Sequence, residues 1–249
     1  MAEFEFEFDD FDMTGLDGNQ GPAKVKGLVD VIFVIDVSGS MGPAIVNLTK
    51  NIHSFVDNID SNLVSDFRIK IVSFSDLTCD TPKLALNLDR AWIDNPRDNK
   101  TVYKVQEQLN ECIDLVRLGG GCDEPESSLD AVYKSISLFQ DNWCKRRRVI
   151  VLFSDASAKE ITNATINASS REDKLKVLIQ TIEEEHIDLF IFAPTADDYI
   201  YIARNGSRIE YNAINEDGSA PVTALRNLNF DKVLENLGKT VSQPSDEEC

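Results

Sequence analysis

The sequence predicts an α/β fold: an open, doubly wound, mostly parallel sheet with helices on both faces and one antiparallel edge strand. Three observations carry this prediction. Residues 28–35, 149–153 and 187–193 are almost unbroken runs of β-branched, aliphatic and aromatic side chains, the pattern of strands buried on both faces. Segments with apolar residues at helical spacing lie between them, and alternating strands and helices imply parallel pairing through crossovers. Residues 83–89 instead alternate strictly, with Leu84, Leu86 and Leu88 on one side, as an edge strand with a wet face does.

The first strand (28–35, LVDVIFVI) ends at Asp36. Residues 43–60 place Ile45, Leu48, Ile52, Phe55 and Ile59 on one helical stripe. Residues 67–74 (FRIKIVSF) read as the second strand. Val102, Val105, Leu109, Cys112, Ile113 and Val116 form a second amphipathic helix, stopped by Gly119, Gly120 and Gly121. Leu129, Val132, Ile136 and Phe139 mark a third helix, and the strand 149–153 leads into Ser154 and Asp155. Leu175, Leu178, Ile179 and Ile182 mark a fourth helix ahead of the strand 187–193. Periodicity then weakens: 208–213 reads as a short strand, 214–229 as a loop and 230–241 as a terminal helix.

At roughly 150 residues per domain, 249 residues allow one large domain or two small ones. No second apolar core or internal repeat occurs, so 25–242 reads as one domain. Residues 1–24 differ: acids alternate with phenylalanine from Glu3 to Asp12, then a Gly/Asn/Gln/Pro stretch follows, which reads as a disordered arm. Two roles stay open for it. It is a solubilising tail, or a short linear motif whose period-2 phenylalanines give an extended strand one apolar edge. Residues 243–249 read as a flexible tail. A net charge of −18 disfavours nonspecific binding to nucleic acid or anionic membranes. No run approaches the roughly 20 apolar residues of a membrane span, and no secretory leader is evident. Five cysteines form neither an even framework nor a CxxC pair, so a reducing, cytoplasmic compartment is expected.

In open α/β sheets ligands bind beyond the carboxyl ends of the strands, and two of the most apolar strands lead there into aspartates, Asp36 and Asp155. After the first strand the chain reads Asp36-Val37-Ser38-Gly39-Ser40-Met41-Gly42. A carboxylate and two hydroxyls at alternate positions of a Gly-containing turn converge on one point, and all are hard oxygen donors suited to Mg²⁺, Mn²⁺ or Ca²⁺. Asp123 sits in a Gly-rich turn that opens a helix, where capping that helix is the other use for it.

These residues resemble those of the von Willebrand factor A domain family. The D-x-S-x-S loop at 36–40, the strand-closing Asp155 and the GGGCDEPE segment at 119–126, similar to the G-G-x-D-x-P-E loop of one branch of that family, appear in the expected order. The resemblance spans about 25–242. It implies a Rossmann-like doubly wound fold and a metal-ion-dependent adhesion site. Ser38 and Ser40 would bind the metal directly, Asp36 and Asp155 would sit close by, often acting through water, and Asp123 would replace the threonine of the adhesion-receptor branch. It further implies a divalent-metal-dependent interaction module whose protein partner supplies a carboxylate or other oxygen. Intracellular relatives resemble scaffolds beside ATPases, kinases or phosphatases, and the terminal helix 230–241 shifts with occupancy in some. With Asp123 in place of threonine, three carboxylates leave a divalent site about one charge negative. Unit charges ~4 Å apart interact by about 4 kcal/mol at an effective dielectric of 20, so firmer metal retention and weaker attraction for an incoming Asp or Glu are expected.

A competing reading is a metal-dependent phosphohydrolase on a similar sheet, with Asp36 as nucleophile. Haloacid-dehalogenase-type phosphatases need a second Asp two residues on, where this chain has Ser38, so the leaving group lacks a proton donor. His53 and His186, the only histidines, do not make a zinc cluster or triad. The run Lys145-Arg146-Arg147-Arg148 reads as a solvated basic rim or, alternatively, a docking patch for an acidic partner. Cys122 reads as structural.

Overall fold

Strands that are apolar on both faces need cover on both faces, and the helices supply it. The computed structural model describes residues 27–58, 64–96, 98, 101–122, 124–140, 146–215 and 218–227. The expected arm at 1–24, terminal helix at 230–241 and tail at 243–249 lie outside the described residues, as do Asp123 and Lys145. The elements in order are β1 (Gly27–Asp36), a 3-10 turn (Gly39–Met41), α1 (Gly42–Asn58), β2 (Val64–Phe74), α2 (Pro82–Ala85), β3 (Leu86–Asn87), β4 (Ile93–Asp94), α3 (Val102–Leu118), α4 (Ser128–Ile136), β5 (Arg147–Phe153), α5 (Arg171–Glu184), β6 (Ile187–Ala193), α6 (Asp197–Asn205), β7 (Ile209–Ala213) and α7 (Pro221–Arg226).

The sheet runs β3-β2-β1-β5-β6-β7, with β4 also paired to β2. β1, β2, β5, β6 and β7 pair in parallel, and only the two short strands beyond β2 are antiparallel. The mostly parallel sheet and antiparallel edge follow the sequence prediction. Side chains alternate across β1: Val29, Val31, Phe33 and Ile35 pack in one core with Ile45, Leu48 and Ile52 of α1 and Val105, Leu109 and Cys112 of α3. Ile32 and Val34 pack in the other with Leu129 and Val132 of α4, Leu175 and Leu178 of α5 and Tyr199 and Ile202 of α6. This two-sided burial removes every hydrophobic side chain of β1 from Val29 to Ile35 from water.

Three segments depart from the sequence expectation. Within 83–89 only Leu86 and Asn87 form a strand, because Pro82 starts a helical turn with its fixed φ. Ala85 and Leu84 then turn their carbonyls to the Ser75 backbone N–H and hydroxyl. The loop expected at 214–229 contains α7, which lies against α1, and α6 occupies a stretch the sequence left unassigned. Within the basic run, Arg146, Arg147 and Arg148 do not form a solvated rim. Arg146 is 8% exposed and donates to Asp30 and Asp66 across the amino end of the sheet, with Arg68 also on Asp30. Arg147 pairs with Asp188 at 2.7 Å, while Arg148 pairs with Glu185 at 2.7 Å and covers the Phe139 ring. These guanidiniums serve the fold and are not offered to a docking partner.

Candidate functional site

At the carboxyl end of β1 the chain leaves the sheet through Val37, whose N–H donates to Phe74 O at 2.8 Å. Ser38 then forms a bridge with Gly120, and the Gly39 N–H donates to Gly120 O at 2.7 Å. The 3-10 turn 39–41 opens α1 immediately afterwards. This path brings the D-x-S-x-S loop against the glycines after α3, where Gly119 caps the helix in the left-handed conformation.

Four sequence-predicted residues come together in one hydrogen-bonded chain. Asp36 is fully buried, accepting from Ser38 N–H at 2.8 Å and from Ser154 Oγ at 2.6 Å. Ser38 Oγ and Ser40 Oγ lie 3.0 Å apart, and Ser40 Oγ donates to Asp155 Oδ1 at 3.0 Å. Asp155 lies two residues past the end of β5, so neighbouring strands β1 and β5 deliver the two aspartates to one place. The fifth predicted residue, Asp123, is outside the described residues. Ser38, Ser40, Gly119, Gly120, Gly121 and Asp155 help to line a cleft of about 470 Å³. Pro221 and Val222 of α7 form part of its wall.

The electrostatics are those of a site short of positive charge. Burial lifts the Asp36 carboxyl to about 7, and the Asp155 charge adds to the rise against hydrogen bonds from Ser154 and Ser38. Burial also raises Asp155, opposed by the Ser40 hydroxyl. Glu126, quoted above only as part of the Gly-rich segment, lines the same cleft and is 4% exposed. Its pKa is pushed to about 8 by burial, then by Asp36, Asp76 and Asp80. Its Oε2 is buried with no hydrogen-bond partner. Lys159, the nearby cation, donates to Asp76 Oδ2 at 2.7 Å and Thr78 Oγ1 at 3.0 Å. Burial works against the Asp76 charge, yet the Lys159 and Thr78 hydrogen bonds hold its pKa below the usual value.

The oxygen donors fit a hard divalent cation. Carboxylates and hydroxyls are its preferred ligands, and an orphaned, buried carboxylate oxygen among other acids is costly without a cation or a proton.

One sequence expectation is corrected here. Cys79 and Cys122, 43 residues apart, form a disulfide, so the cysteines are not all free thiols, and their pattern no longer argues for a reducing compartment. The bond fastens the loop after β2 to the loop after α3. Asp80 Oδ2 reinforces it by accepting from Gly121 N–H at 2.7 Å and from Ser75 Oγ at 2.5 Å. Cys79, Asp80 and Cys122 offer ligand atoms within 4.8 Å of one another, but the disulfide occupies both sulfurs. Cys112 is a buried free thiol. No helix among the described residues is long and apolar enough to cross a membrane.

A family model for the von Willebrand factor type A domain matches residues 30–240. No curated protein sequence matches the chain. Among solved structures, the human COPII-coat protein Sec24c is similar at 13% identity and a TM-score of 0.49, over 88% of this chain and 33% of that one. The chain thus spans about a third of that protein's length.

Proposed function

The chain belongs to the von Willebrand factor type A domain family, whose members generally serve as protein-interaction modules, and from that premise we propose that it binds a partner protein through a divalent metal ion held at the β1 and β5 ends. Ser38 and Ser40 would hold the ion through their hydroxyls, with Asp36 and Asp155 beside them and Asp123 from the loop after α3. A hard cation there supplies an open coordination position for an oxygen of the partner, a carboxylate or a neutral donor. The observation that carries this reading is the hydrogen-bonded series Asp36–Ser38–Ser40–Asp155, assembled from two strand ends, whose Ser38, Ser40 and Asp155 line one cleft. The partner class proposed with it is an ATPase, kinase or phosphatase of the same multiprotein system, as the resemblance implies. The cytoplasmic placement no longer has the cysteine pattern behind it.

The phosphohydrolase alternative gains nothing from the geometry. Asp36 has no solvent exposure, with Ser38 N–H on one carboxylate oxygen and the Ser154 hydroxyl on the other, so a phosphoryl group has no open approach to it as a nucleophile.

The test is a thermal unfolding series with Mg²⁺ or Mn²⁺ against EDTA, on the wild type and the Ser38→Ala/Ser40→Ala double variant. Ligand at 100 times its dissociation constant stabilises a folded protein by about 2.7 kcal/mol, so a clear Tm rise is expected in the wild type and none in the variant. A wild type indifferent to both ions overturns the proposal. Turnover of an aryl phosphate that is lost in Asp36→Asn would favour the enzyme.

A further inference from the structure

The Cys79–Cys122 disulfide joins two exposed residues, and the loops that carry them are also held by hydrogen bonds. Asp80 Oδ2 accepts from Gly121 N–H at 2.7 Å, from Ser75 Oγ at 2.5 Å and from Asp76 N–H at 3.2 Å. Leu77 N–H donates to Ser127 Oγ at 3.0 Å, and Ser127 N–H donates to Ser75 O at 3.3 Å. The close approach depends on residue 120 having no side chain. A Cβ on Gly120 would come within 3.2 Å of Ser75 Oγ and 3.3 Å of Asp80 Oδ2. These contacts keep the loop after β2 against the loop after α3 when the sulfur–sulfur bond is open.

Opening the bond creates a donor set. Cys79 Sγ, Cys122 Sγ and a carboxylate oxygen of Asp80 lie within 4.8 Å of one another. Every hydrogen bond from the described residues to the Asp80 carboxylate goes to Oδ2, which leaves Oδ1 for a ligand. Sulfur and oxygen ligands about 2.0–2.3 Å from a tetrahedral zinc sit roughly 3.3–3.8 Å apart. The Cα atoms of the two cysteines are 6.4 Å apart, a span from which side-chain rotation reaches that spacing. Thiolates are soft donors that select zinc over magnesium or calcium, and three protein ligands with a water in the fourth position is an arrangement zinc adopts. Exposed disulfides are also the labile ones, so a reductant has access to this pair.

We infer that Cys79, Cys122 and Asp80 form a redox-gated zinc site, closed while the disulfide stands and open once a dithiol reduces it. A thiolate of the dithiol attacks one sulfur, the S–S bond breaks, and its electron pair leaves on the other sulfur. The second thiol of the reductant then displaces the first cysteine. The pair thereby gains two electrons and two protons, and the reductant leaves as a disulfide. Zn²⁺ binding then releases the two thiol protons to solvent. None of these three donors belongs to the Asp36–Ser38–Ser40–Asp155 series, so the inference stands apart from the hard-cation reading.

The experiment is a Co²⁺ titration of the protein under argon, after reduction with dithiothreitol and removal of the reductant, with the oxidised protein as reference. Co²⁺ is the probe because thiolate ligands give a sulfur-to-cobalt charge-transfer absorption that oxygen ligands do not. The reduced wild type is expected to develop this absorption, Zn²⁺ to bleach it, and the oxidised protein to show none. Cys79→Ser and Cys122→Ser are each expected to lose it. Asp80→Asn, which keeps an oxygen for the Gly121 N–H, is expected to bind Co²⁺ at least tenfold more weakly. No absorption in the reduced wild type would overturn the inference. So would absorption that persists in either cysteine variant or in the oxidised protein, since other thiols would then be its source. Unchanged affinity in Asp80→Asn would overturn it as well. Should a variant not fold, as judged by circular dichroism, the wild type decides by alkylation. Zn²⁺ is expected to slow iodoacetamide labelling of Cys79 and Cys122 together at least tenfold, read by mass spectrometry, and equal labelling with and without Zn²⁺ would count against the inference.

Discussion

Raising the pH of the metal-free protein should unfold it more readily, and a divalent ion should cancel much of the effect. Asp36 titrates ordinarily at 3.8 and at about 7 in the folded chain, and Glu126 moves from 4.5 to about 8. An acid whose folded pKa is raised keeps a proton that the unfolded chain has already released. Stability is therefore full below pH ~4 and falls as pH rises towards the folded pKa. The whole displacement of Asp36 corresponds to roughly 4 kcal/mol at ~1.4 kcal/mol per pH unit. Between pH 5.5 and 8.5 the share measured is about 2 kcal/mol for Asp36 and about 3 kcal/mol for Glu126. Each charge raises the cost of the other, so the total is not their sum. Urea unfolding followed by tryptophan fluorescence, in EDTA and in saturating Mg²⁺, measures it. In EDTA the unfolding free energy should fall by a few kcal/mol across this window, and Asp36→Asn and Glu126→Gln should each flatten the fall. Mg²⁺ should stabilise more at pH 8.5 than at 5.5, since it replaces protons that are then absent. A metal-free stability that is level across the window refutes this reasoning. So does a fall of the same size in both variants, which would trace it to the overall charge of −18 and not to the site.

Gly121→Ala should cost more than Gly218→Ala. Both have positive φ, worth roughly 1–2 kcal/mol of strain with a side chain, but only at Gly121 does the added methyl meet Glu126 and Ser38; equal losses of unfolding free energy would show that the contact is unimportant. Replacing Cys79 and Cys122 together by Ser opens a tether across 43 residues and should cost about 4 kcal/mol by chain entropy, read from the urea midpoint, with no change meaning that the bond does not form. Arg146→Ala should cost about 1.5–3 kcal/mol, the range for a hydrogen bond to a charged group, because Asp30, which is 1% exposed, keeps Arg68 as its other partner; a loss under about 1 kcal/mol would make this pair no better than a surface one.

The sheet was legible because β1, β5 and β6 are buried on both faces, and two-sided burial writes unbroken apolar runs that need no context to interpret. The D-x-S-x-S loop and Asp155 were legible for a related reason: the ends of those strands are where loops converge. Shorter elements were not. α7 has six residues and α6 nine, too few turns for a stripe to stand out, and Leu84 alternates with Leu86 although Pro82 puts it in a helical turn. Glu126 was missed because a glutamate in a loop is ordinarily solvated. What buries it is backbone pairing with residues 157–159, over thirty positions away. The Glu126–Ala158 bridge leaves no local pattern to find. Arg146 and Arg148 look like a surface run until Asp30, Asp66 and Glu185 arrive from other elements. The Cys79–Cys122 pair was hidden by an odd cysteine count.

Anomalous diffraction from a crystal of the protein soaked in Mn²⁺ locates the ion without recourse to stability or partner. One strong peak is expected in the cleft, bounded by the Ser38 and Ser40 hydroxyls, with Asp155 beside it. A peak on the exposed acids of α3, at Glu107, Glu111 and Asp114, with nothing between the two serines, would contradict the assignment of this cleft as the binding centre.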